Sequence, residues 1–207
     1  LFAPHAVAVF GASEKPDTVG TLVFRNLLAG GFSGELYAIN PKHERVQGKP
    51  CYPDIEHIGK AVDLAVIATP AQTVPDIIRQ CGEAGMRVAV ILSAGFGESG
   101  DAGVLLEKEI LEHARLYDMR IVGPNCLGIL RPQSGLNASF SNSNVLPGRM
   151  AFVSQSGALC TAILDWAQSS AIGFSAIVSL GDAVDVDFGD VLSYLAMDPQ
   201  TGSILLY

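Results

Sequence analysis

Two apolar segments near the start of the chain end in residues that suit a phosphate-bearing ligand. Residues 7–10 run directly into Gly11, Ala12 and Ser13, and residues 36–39 lead to Lys42. A strand, a glycine turn, a helix and a second strand form the βαβ unit that binds nucleotides. The spacing therefore predicts a nucleotide site around the glycine turn, with a cation at the tip of the second strand.

The type of nucleotide follows from two departures from the NAD pattern. NAD sites usually place Asp or Glu at the second strand tip, where the carboxylate binds the ribose hydroxyls. Lys42 stands there instead, and the turn lacks the G-x-G-x-x-G fingerprint because Gly20 is the next glycine after Gly11. A cation suits a phosphorylated ribose. We therefore expect coenzyme A, through its 3′-phosphate, rather than NAD, and NADP remains an alternative.

The apolar segments that follow place more small and polar residues at the same edge. Strands predicted over 61–68, 87–92 and 119–122 alternate with helices predicted over 73–84 and 101–117. Such alternation is typical of a parallel sheet covered on both faces, with all strand ends at one edge. The candidate cofactor-binding residues at that edge are Gly11, Ala12, Ser13, Lys42, Thr69, Pro70, Ser93 and Ala94.

A second α/β series is predicted in the last third of the chain. Its strands are predicted over 150–153, 174–180 and 203–207, and its helices over 158–169 and 188–197. The composition divides the chain into a first domain over 1–130, a linker or extended loop over 131–148, and the N-terminal part of a second domain over 149–207. Because the chain stops inside the last strand, we expect it to be a fragment of a longer protein.

The start of the second domain's first helix is a candidate anion site. Ser156 and Gly157 open that helix directly after a strand, where backbone N–H groups and the positive end of the helix dipole attract anions. The alternative is that Ser156 only caps the helix. Asn125 follows the last strand of the first domain, so we expect it to face this site. Asp187 or Asp190 is expected to cap the following helix.

Composition excludes several classes of function. A net charge of −8 argues against nucleic acid as a partner, and no apolar run reaches the roughly 18 residues of a membrane-spanning helix. The four cysteines are widely spaced without C-x-x-C, which indicates a reducing cytoplasm and neither a zinc site nor a redox pair. Residues 181–187 lack the Gly and Glu of a calcium loop, so no metal is expected. Cys126 is either a nucleophile or, the default interpretation, a buried small residue.

Several stretches together resemble a known family. These are residues 9–13, 39–42, 68–71, 123–128 and 154–159, and they are similar to the nucleoside-diphosphate-forming (ADP-forming) acyl-CoA synthetases, relatives of the succinyl-CoA synthetase α subunit. Residues 25–32, 136–141 and 163–168 bring the likeness closest to the synthetase-like region of bacterial GNAT-containing protein lysine acetyltransferases.

The resemblance implies a Rossmann-type CoA-binding domain followed by a truncated flavodoxin-like, succinyl-CoA synthetase-like α/β domain. It implies that Gly11, Ser13 and Lys42 hold the CoA nucleotide, with Thr69, Pro70, Ser93 and Ala94 on its other side. It implies that Asn125, Ser156 and Gly157 form the acyl/phosphate site. The family's phosphorylated histidine is expected beyond Tyr207, so no catalytic residue is expected within the chain.

Three functions follow from these observations. The main hypothesis is the regulatory acetyl-CoA-binding part of a protein lysine acetyltransferase, with protein lysines as substrates. The alternative is the catalytic part of an ADP-forming acyl-CoA synthetase, which converts acyl-CoA, ADP and phosphate into acid, CoA and ATP. An NADP-binding oxidoreductase domain is a further alternative. For the first two, the ligand is CoA or acetyl-CoA. ATP or ADP with Mg is then expected only in an ATP-grasp domain outside the chain, and the acetyltransferase hypothesis adds a GNAT domain there. The fragment alone is expected to be inactive.

Overall fold

The computed structural model describes residues 1–143 and 145–207. Its first part is a seven-stranded sheet with three helices. The strands are β1 (Ala6–Phe10), β2 (Glu35–Ile39), β3 (Arg45–Val46), β4 (Lys49–Tyr52), β5 (Leu64–Ile67), β6 (Val88–Ile91) and β7 (Arg120–Val122). The helices are α1 (Val19–Ala29), α2 (Val74–Glu83) and α3 (Asp101–Leu116).

The first sheet is parallel apart from one short hairpin. Its strand order is β3-β4-β2-β1-β5-β6-β7, and only β3 runs antiparallel to its neighbour. Side chains alternate between two apolar layers, so that Val7 and Val9 pack in one layer and Ala8 and Phe10 in the other. Both faces are therefore covered, which is why the strands are apolar without interruption. Because the chain continues from β1 to β2 on one side and later to β5 on the other, β1 and β5 flank the switch point where such sheets bind ligands.

The remaining strands of the described chain form a second sheet, which is packed with two helices. Its strands are β8 (Gly128–Arg131), β9 (Leu136–Ser139), β10 (Leu146–Ser154), β11 (Gly173–Ser179) and β12 (Ser203–Leu206), and its helices are α4 (Gly157–Ser169) and α5 (Phe188–Met197). The strand order is β12-β10-β11-β8-β9, with β8 and β9 antiparallel to their neighbours. No helix in the described residues combines the length and apolar character needed to cross a membrane.

The segment 131–148 differs from the predicted linker or extended loop. Within its described residues it contains a short 3-10 helix, all of β9 and the start of β10; Asn144, in the polar stretch 137–144, lies outside the described residues. From the sequence alone, the polar side chains of this stretch predict an exposed segment. In the structure most of those described are buried, because their hydrogen bonds are made inside the protein. The Ser139 hydroxyl donates to Asn137 at 2.7 Å, and both residues are buried.

The segment after β11 holds the second domain against the edge of the first sheet. Arg120 on β7 pairs with Asp185 at 3.1 Å and with Asp190 at 2.8 Å. Asp185 also accepts the backbone N–H of Ile121 at 2.7 Å, and the N–H of Val186 donates to the Ile121 carbonyl at 3.0 Å. Domain docking therefore combines charge pairing with backbone hydrogen bonds.

The predicted cap of the last helix is confirmed. Asp187 is the N-cap of α5 and accepts the Asp190 N–H, and the Asp190 carboxylate accepts the Asp187 N–H in return. The two aspartates thereby satisfy two backbone donors that the helix itself cannot pair. Because Asp190 also contacts Arg120, the same cap ties α5 to the first domain.

A buried ion pair stabilises the second sheet. Arg131 on β8 and Asp198 after α5 lie 2.6 Å apart, with side-chain exposures of only 8% and 5%. Arg131 also donates to Gln200 at 2.8 Å. The Arg131 guanidinium holds the pKa of Asp198 below its usual range. The contribution of this pair is therefore present at neutral pH and is lost as the pH falls and Asp198 becomes protonated.

Replacing Asp198 by Ala is expected to lower the free energy of unfolding by about 3–5 kcal/mol, because Arg131 would stay buried without its counter-charge. Urea unfolding at pH 7 measures this change. The matched control is Glu83→Ala, which removes an Arg79 partner whose pair is 39% and 43% exposed and should cost less than about 1 kcal/mol. Equal costs for the two variants would contradict the assignment of Asp198 as a buried anchor.

Candidate functional site

The turn after β1 brings three segments into close contact through two glycines. Gly11 has φ +86°, and a Cβ atom there would lie 2.6 Å from the Ala68 carbonyl oxygen. A Cβ atom on Gly20 would lie 1.9 Å from the Gly11 carbonyl oxygen. The chain therefore needs glycine at both positions for the tight turn and for the packing of α1 onto the strand. The turn therefore lacks the G-x-G-x-x-G fingerprint and uses instead the wider spacing between Gly11 and Gly20.

Asn40 connects the first two loops of the sheet edge. Its side-chain amide donates to the Ala12 carbonyl at 2.9 Å, and its carbonyl oxygen accepts the Lys42 N–H at 3.0 Å. Ala12 itself is fully buried, whereas Lys42 is exposed. The loop after β2 is thus fixed by one amide, while the Lys42 side chain is exposed to solvent. Sequence analysis did not assign Asn40 a role, although it directly precedes the Pro41-Lys42 pair.

The β3–β4 hairpin, which the sequence analysis did not predict, covers the loop after β1. The Gln47 side chain donates to the Thr21 carbonyl at 3.0 Å, and the Gln47 N–H donates to the Glu14 carboxylate. The Ser13 hydroxyl accepts the Lys15 N–H at 3.0 Å. The hairpin was missed because its strands are only two and four residues long and carry little apolar pattern.

The loops after β5, β6 and β7 are also joined to one another. The Ser93 hydroxyl donates to the Thr69 carbonyl at 2.6 Å, and the Asn125 N–H donates to the Ser93 carbonyl at 2.9 Å. Pro70 and Ala94 are exposed beside these contacts. All predicted cofactor-binding residues therefore lie at the carboxyl ends of adjacent strands, and the last of these loops leads to Asn125.

A cavity of about 640 Å³ lies between the two domains at this edge. It brings together the three residues predicted for the anion site, Asn125, Ser156 and Gly157. The remaining lining residues are Leu92, Cys126, Leu127, Phe140, Gln155, Ala158, Thr161, Gly181, Asp182 and Tyr207. One part of the lining is thus apolar and the other polar, which suits a ligand with an anionic or carbonyl end and an apolar portion.

The first turn of α4 supplies backbone donors to this cavity. Ser156 is the N-cap, and its hydroxyl oxygen accepts the Leu159 N–H at 3.2 Å. Ser156 therefore caps α4. Capping uses the side chain, whereas the other N–H groups of the first turn have no partner within the helix. A Cβ atom on Gly157 would lie 3.5 Å from Leu127, so the helix start packs closely on the loop that follows Asn125.

Asp182 gives the cavity an electrostatic feature that the sequence did not indicate. The Asn125 amide lies 3.4 Å from one Asp182 oxygen, and the other oxygen is buried without a hydrogen-bond partner among the described residues. Burial raises the pKa of Asp182, and the charges of Glu98 and Glu107 act in the same direction. Asp182 therefore places a carboxyl group with a raised pKa and an unpartnered buried oxygen at the wall of the cavity.

Comparison with family models identifies the two domains. The model described as the CoA binding domain matches residues 5–132. The chain belongs to the CoA binding domain family. A second model, described as the succinyl-CoA ligase like flavodoxin domain, matches residues 147–207. Together with the two sheets, these matches confirm the predicted order of a Rossmann-type CoA-binding domain and a flavodoxin-like domain.

Several relatives of this chain are described as CoA ligases. It is 45% identical over 207 residues to the ADP-forming acetate-CoA ligase I of Archaeoglobus fulgidus, covering all of this chain and 30% of that protein. It is 42% identical to the α subunit of the ADP-forming acetate-CoA ligase I of Pyrococcus furiosus, covering 46% of that subunit. The chain thus spans less than half the length of these relatives and is similar to their CoA-binding, α-subunit-like part.

A solved structure shows the same arrangement of domains. The dinucleotide-forming acetyl-coenzyme A synthetase 1 of Candidatus Korarchaeum cryptofilum, in complex with phosphate and ADP, superimposes with a TM-score of 0.95 at 43% identity. The match covers all of this chain and 44% of that chain. The CoA-binding domain and the flavodoxin-like domain therefore keep the same relative placement in this relative.

Cys126 of the CoA binding domain has the properties of a structural residue. It is 2% exposed, and its thiol donates to the Ile91 carbonyl at 3.3 Å. Burial raises its pKa to about 12. Because the thiolate is the reactive form of cysteine, this environment disfavours nucleophilic chemistry at neutral pH.

Treatment of the folded protein with iodoacetamide at pH 7.5 is expected to alkylate Cys51 first. Cys51 is half-buried, whereas Cys81, Cys126 and Cys160 are buried, and burial keeps their thiols protonated at this pH. Peptide mapping by mass spectrometry measures the order, and urea-unfolded protein, in which all four should react, is the control. Alkylation of Cys126 in the folded state as fast as Cys51 would contradict this assignment.

Proposed function

We propose that the chain is the CoA- and acyl-CoA-binding, α-subunit-like part of an ADP-forming acyl-CoA synthetase. The observation that carries the proposal is the interdomain cavity, in which Asn125 from the CoA-binding domain meets Ser156 and Gly157 at the start of α4. Membership in the CoA binding domain family and the similarity to ADP-forming ligases support it.

In this proposal, the edge of the first sheet binds the nucleotide half of CoA. Gly11 and Ser13 present backbone groups in the turn after β1, and Lys42 pairs with a phosphate. Ala12 contributes through its backbone, because its side chain is buried. Thr69, Pro70, Ser93 and Ala94 line the other side at the switch point of the sheet. We propose residues 1–130 as the limits of the domain that binds the CoA nucleotide, and residues 149–207 as those of the second domain, which contributes the start of α4.

The cavity is proposed to hold the reacting end of the ligand. When acyl-CoA reacts with phosphate, negative charge develops on the acyl carbonyl oxygen and is carried by the phosphate. Backbone N–H groups and the dipole of α4 would stabilise that charge, with the Asn125 amide as a further donor. The phosphorylated histidine and an ATP-grasp domain, with ATP or ADP and Mg, are proposed to lie outside this chain.

The comparisons favour the catalytic alternative over the regulatory hypothesis. The relatives matched along the whole chain are described as ligases or synthases, whereas acetyl-CoA sensing in a protein lysine acetyltransferase would require an additional GNAT domain. An NADP-binding oxidoreductase domain would instead bind NADP more tightly than CoA.

Calorimetry is expected to show tighter binding of CoA or acetyl-CoA than of NAD or NADP. Lys42→Ala should weaken CoA binding by about 1.5–3 kcal/mol, the range for a hydrogen bond to a charged group. The matched control Lys108→Ala removes an exposed lysine on α3 and should leave the affinity unchanged. Tighter binding of NAD would overturn the proposal. An equal loss for CoA and dephospho-CoA in the Lys42 variant would show that the 3′-phosphate is not its partner.

Two substitutions at the start of α4 separate capping from anion binding. Ser156→Ala should lower the free energy of unfolding by about 1 kcal/mol through loss of the cap. Gly157→Val should abolish phosphate binding while the fold survives, because the added side chain would occupy space in the cavity beside Leu127. Phosphate titration monitored by calorimetry, with thermal unfolding in parallel, measures both effects. Unchanged phosphate affinity in the Gly157 variant would contradict the anion site.

A further inference from the structure

Phe140 lies on the apolar part of the interdomain cavity. It lines the cavity with Leu92 and Leu127, and its N–H donates to the Leu127 carbonyl at 3.4 Å. Leu127 in turn packs on the first residue of α4, since a Cβ atom on Gly157 would lie 3.5 Å from it. The apolar residues therefore begin next to the proposed anion site, where an acyl chain attached to the reacting carbonyl would extend.

Phe140 is held in place from the opposite domain. The Asn26 amide, on α1 of the CoA-binding domain, donates to the Ser139 carbonyl at 2.8 Å and to the Ser141 carbonyl at 2.6 Å. These two carbonyls flank Phe140 in the sequence, and Asn26 is only 9% exposed. One buried side chain thus uses both of its N–H groups to fix the backbone on either side of the ring.

The Phe140 ring also contacts two apolar clusters, the larger of which spans both domains. It packs partly buried against the core that contains β1 and against the core beneath α4. A ring in contact with two cores cannot move away from the cavity without opening both. Its position therefore sets how much of the cavity remains next to the start of α4.

We propose that Phe140 limits the length of the acyl group that the cavity accepts, and that Asn26 is the positioning residue that holds it there. The inference rests on the proposed acyl-CoA-binding function. A difference of one methylene in a hydrophobic pocket is worth about tenfold to 200-fold in discrimination between substrates, so a single fixed ring is enough to distinguish short from longer acyl chains.

The test is calorimetric titration of the protein with CoA, acetyl-CoA and butyryl-CoA. The wild type is expected to bind acetyl-CoA more tightly than butyryl-CoA. In Phe140→Ala, the affinity for butyryl-CoA relative to acetyl-CoA should rise by about tenfold or more, while CoA itself, which has no acyl group, should change by less than about twofold. Phe140→Leu should shift the ratio in the same direction by a smaller factor, and it replaces the Ala variant if that variant does not fold.

Phe188→Ala is the matched control, because Phe188 is also half-buried but does not belong to the described cavity lining; its acyl ratio should equal that of the wild type. Asn26→Leu should shift the ratio toward butyryl-CoA as Phe140→Ala does. A purely structural role for Asn26 would lower stability without moving this ratio.

Three outcomes would overturn the inference in distinguishable ways. An unchanged ratio in both Phe140 variants, with CoA still bound, removes Phe140 as the limiting residue and leaves the proposed function intact. An unchanged ratio in Asn26→Leu removes only its positioning role. Failure of the wild type to bind CoA overturns the proposed function, and the inference falls with it.

Discussion

The docking of the second domain onto β7 is the constraint on which the candidate site depends. Arg120 pairs with Asp185 and Asp190, and backbone hydrogen bonds connect Ile121 to Val186 and the Asp185 carboxylate. These contacts bring the segment after β11 against the loop after β7. The cavity lies between these segments, so its shape is fixed by the domain interface rather than by either domain alone.

Paired polar groups do much of the positioning, both at the domain interface and at the edge of the first sheet. Asn26 joins α1 to the segment around Phe140, and Asn40 joins the loops after β1 and β2. Amides of this kind cost little when their donors are satisfied and hold a single geometry because their alternatives are unpaired. Asp182 is the exception among the described residues, since one of its oxygens is buried without a partner, and it lies in the cavity where charge matters most.

The loops at the edge of the first sheet are hydrogen-bonded to one another up to the cavity. Hydrogen bonds connect the loops after β5, β6 and β7 in sequence, through Thr69, Ser93 and Asn125. A ligand whose phosphates lie near the Gly11 turn could therefore reach the start of α4 along a surface held by backbone contacts. Strand order produces this arrangement, because all five loops leave the same edge of a parallel sheet.

The sequence by itself determined the strand–helix alternation, the glycine turn, Lys42 at the second strand tip and the cap at Asp187, because these depend on local pattern and backbone geometry. It did not reveal β8, β9 or the β3–β4 hairpin, whose strands are only two to four residues long. Gly20, Asn26, Asn40, Phe140 and Asp182 gained their roles only in the tertiary structure. Their neighbours come from other segments or from the other domain. The spacing of residues along the sequence does not predict such long-range contacts.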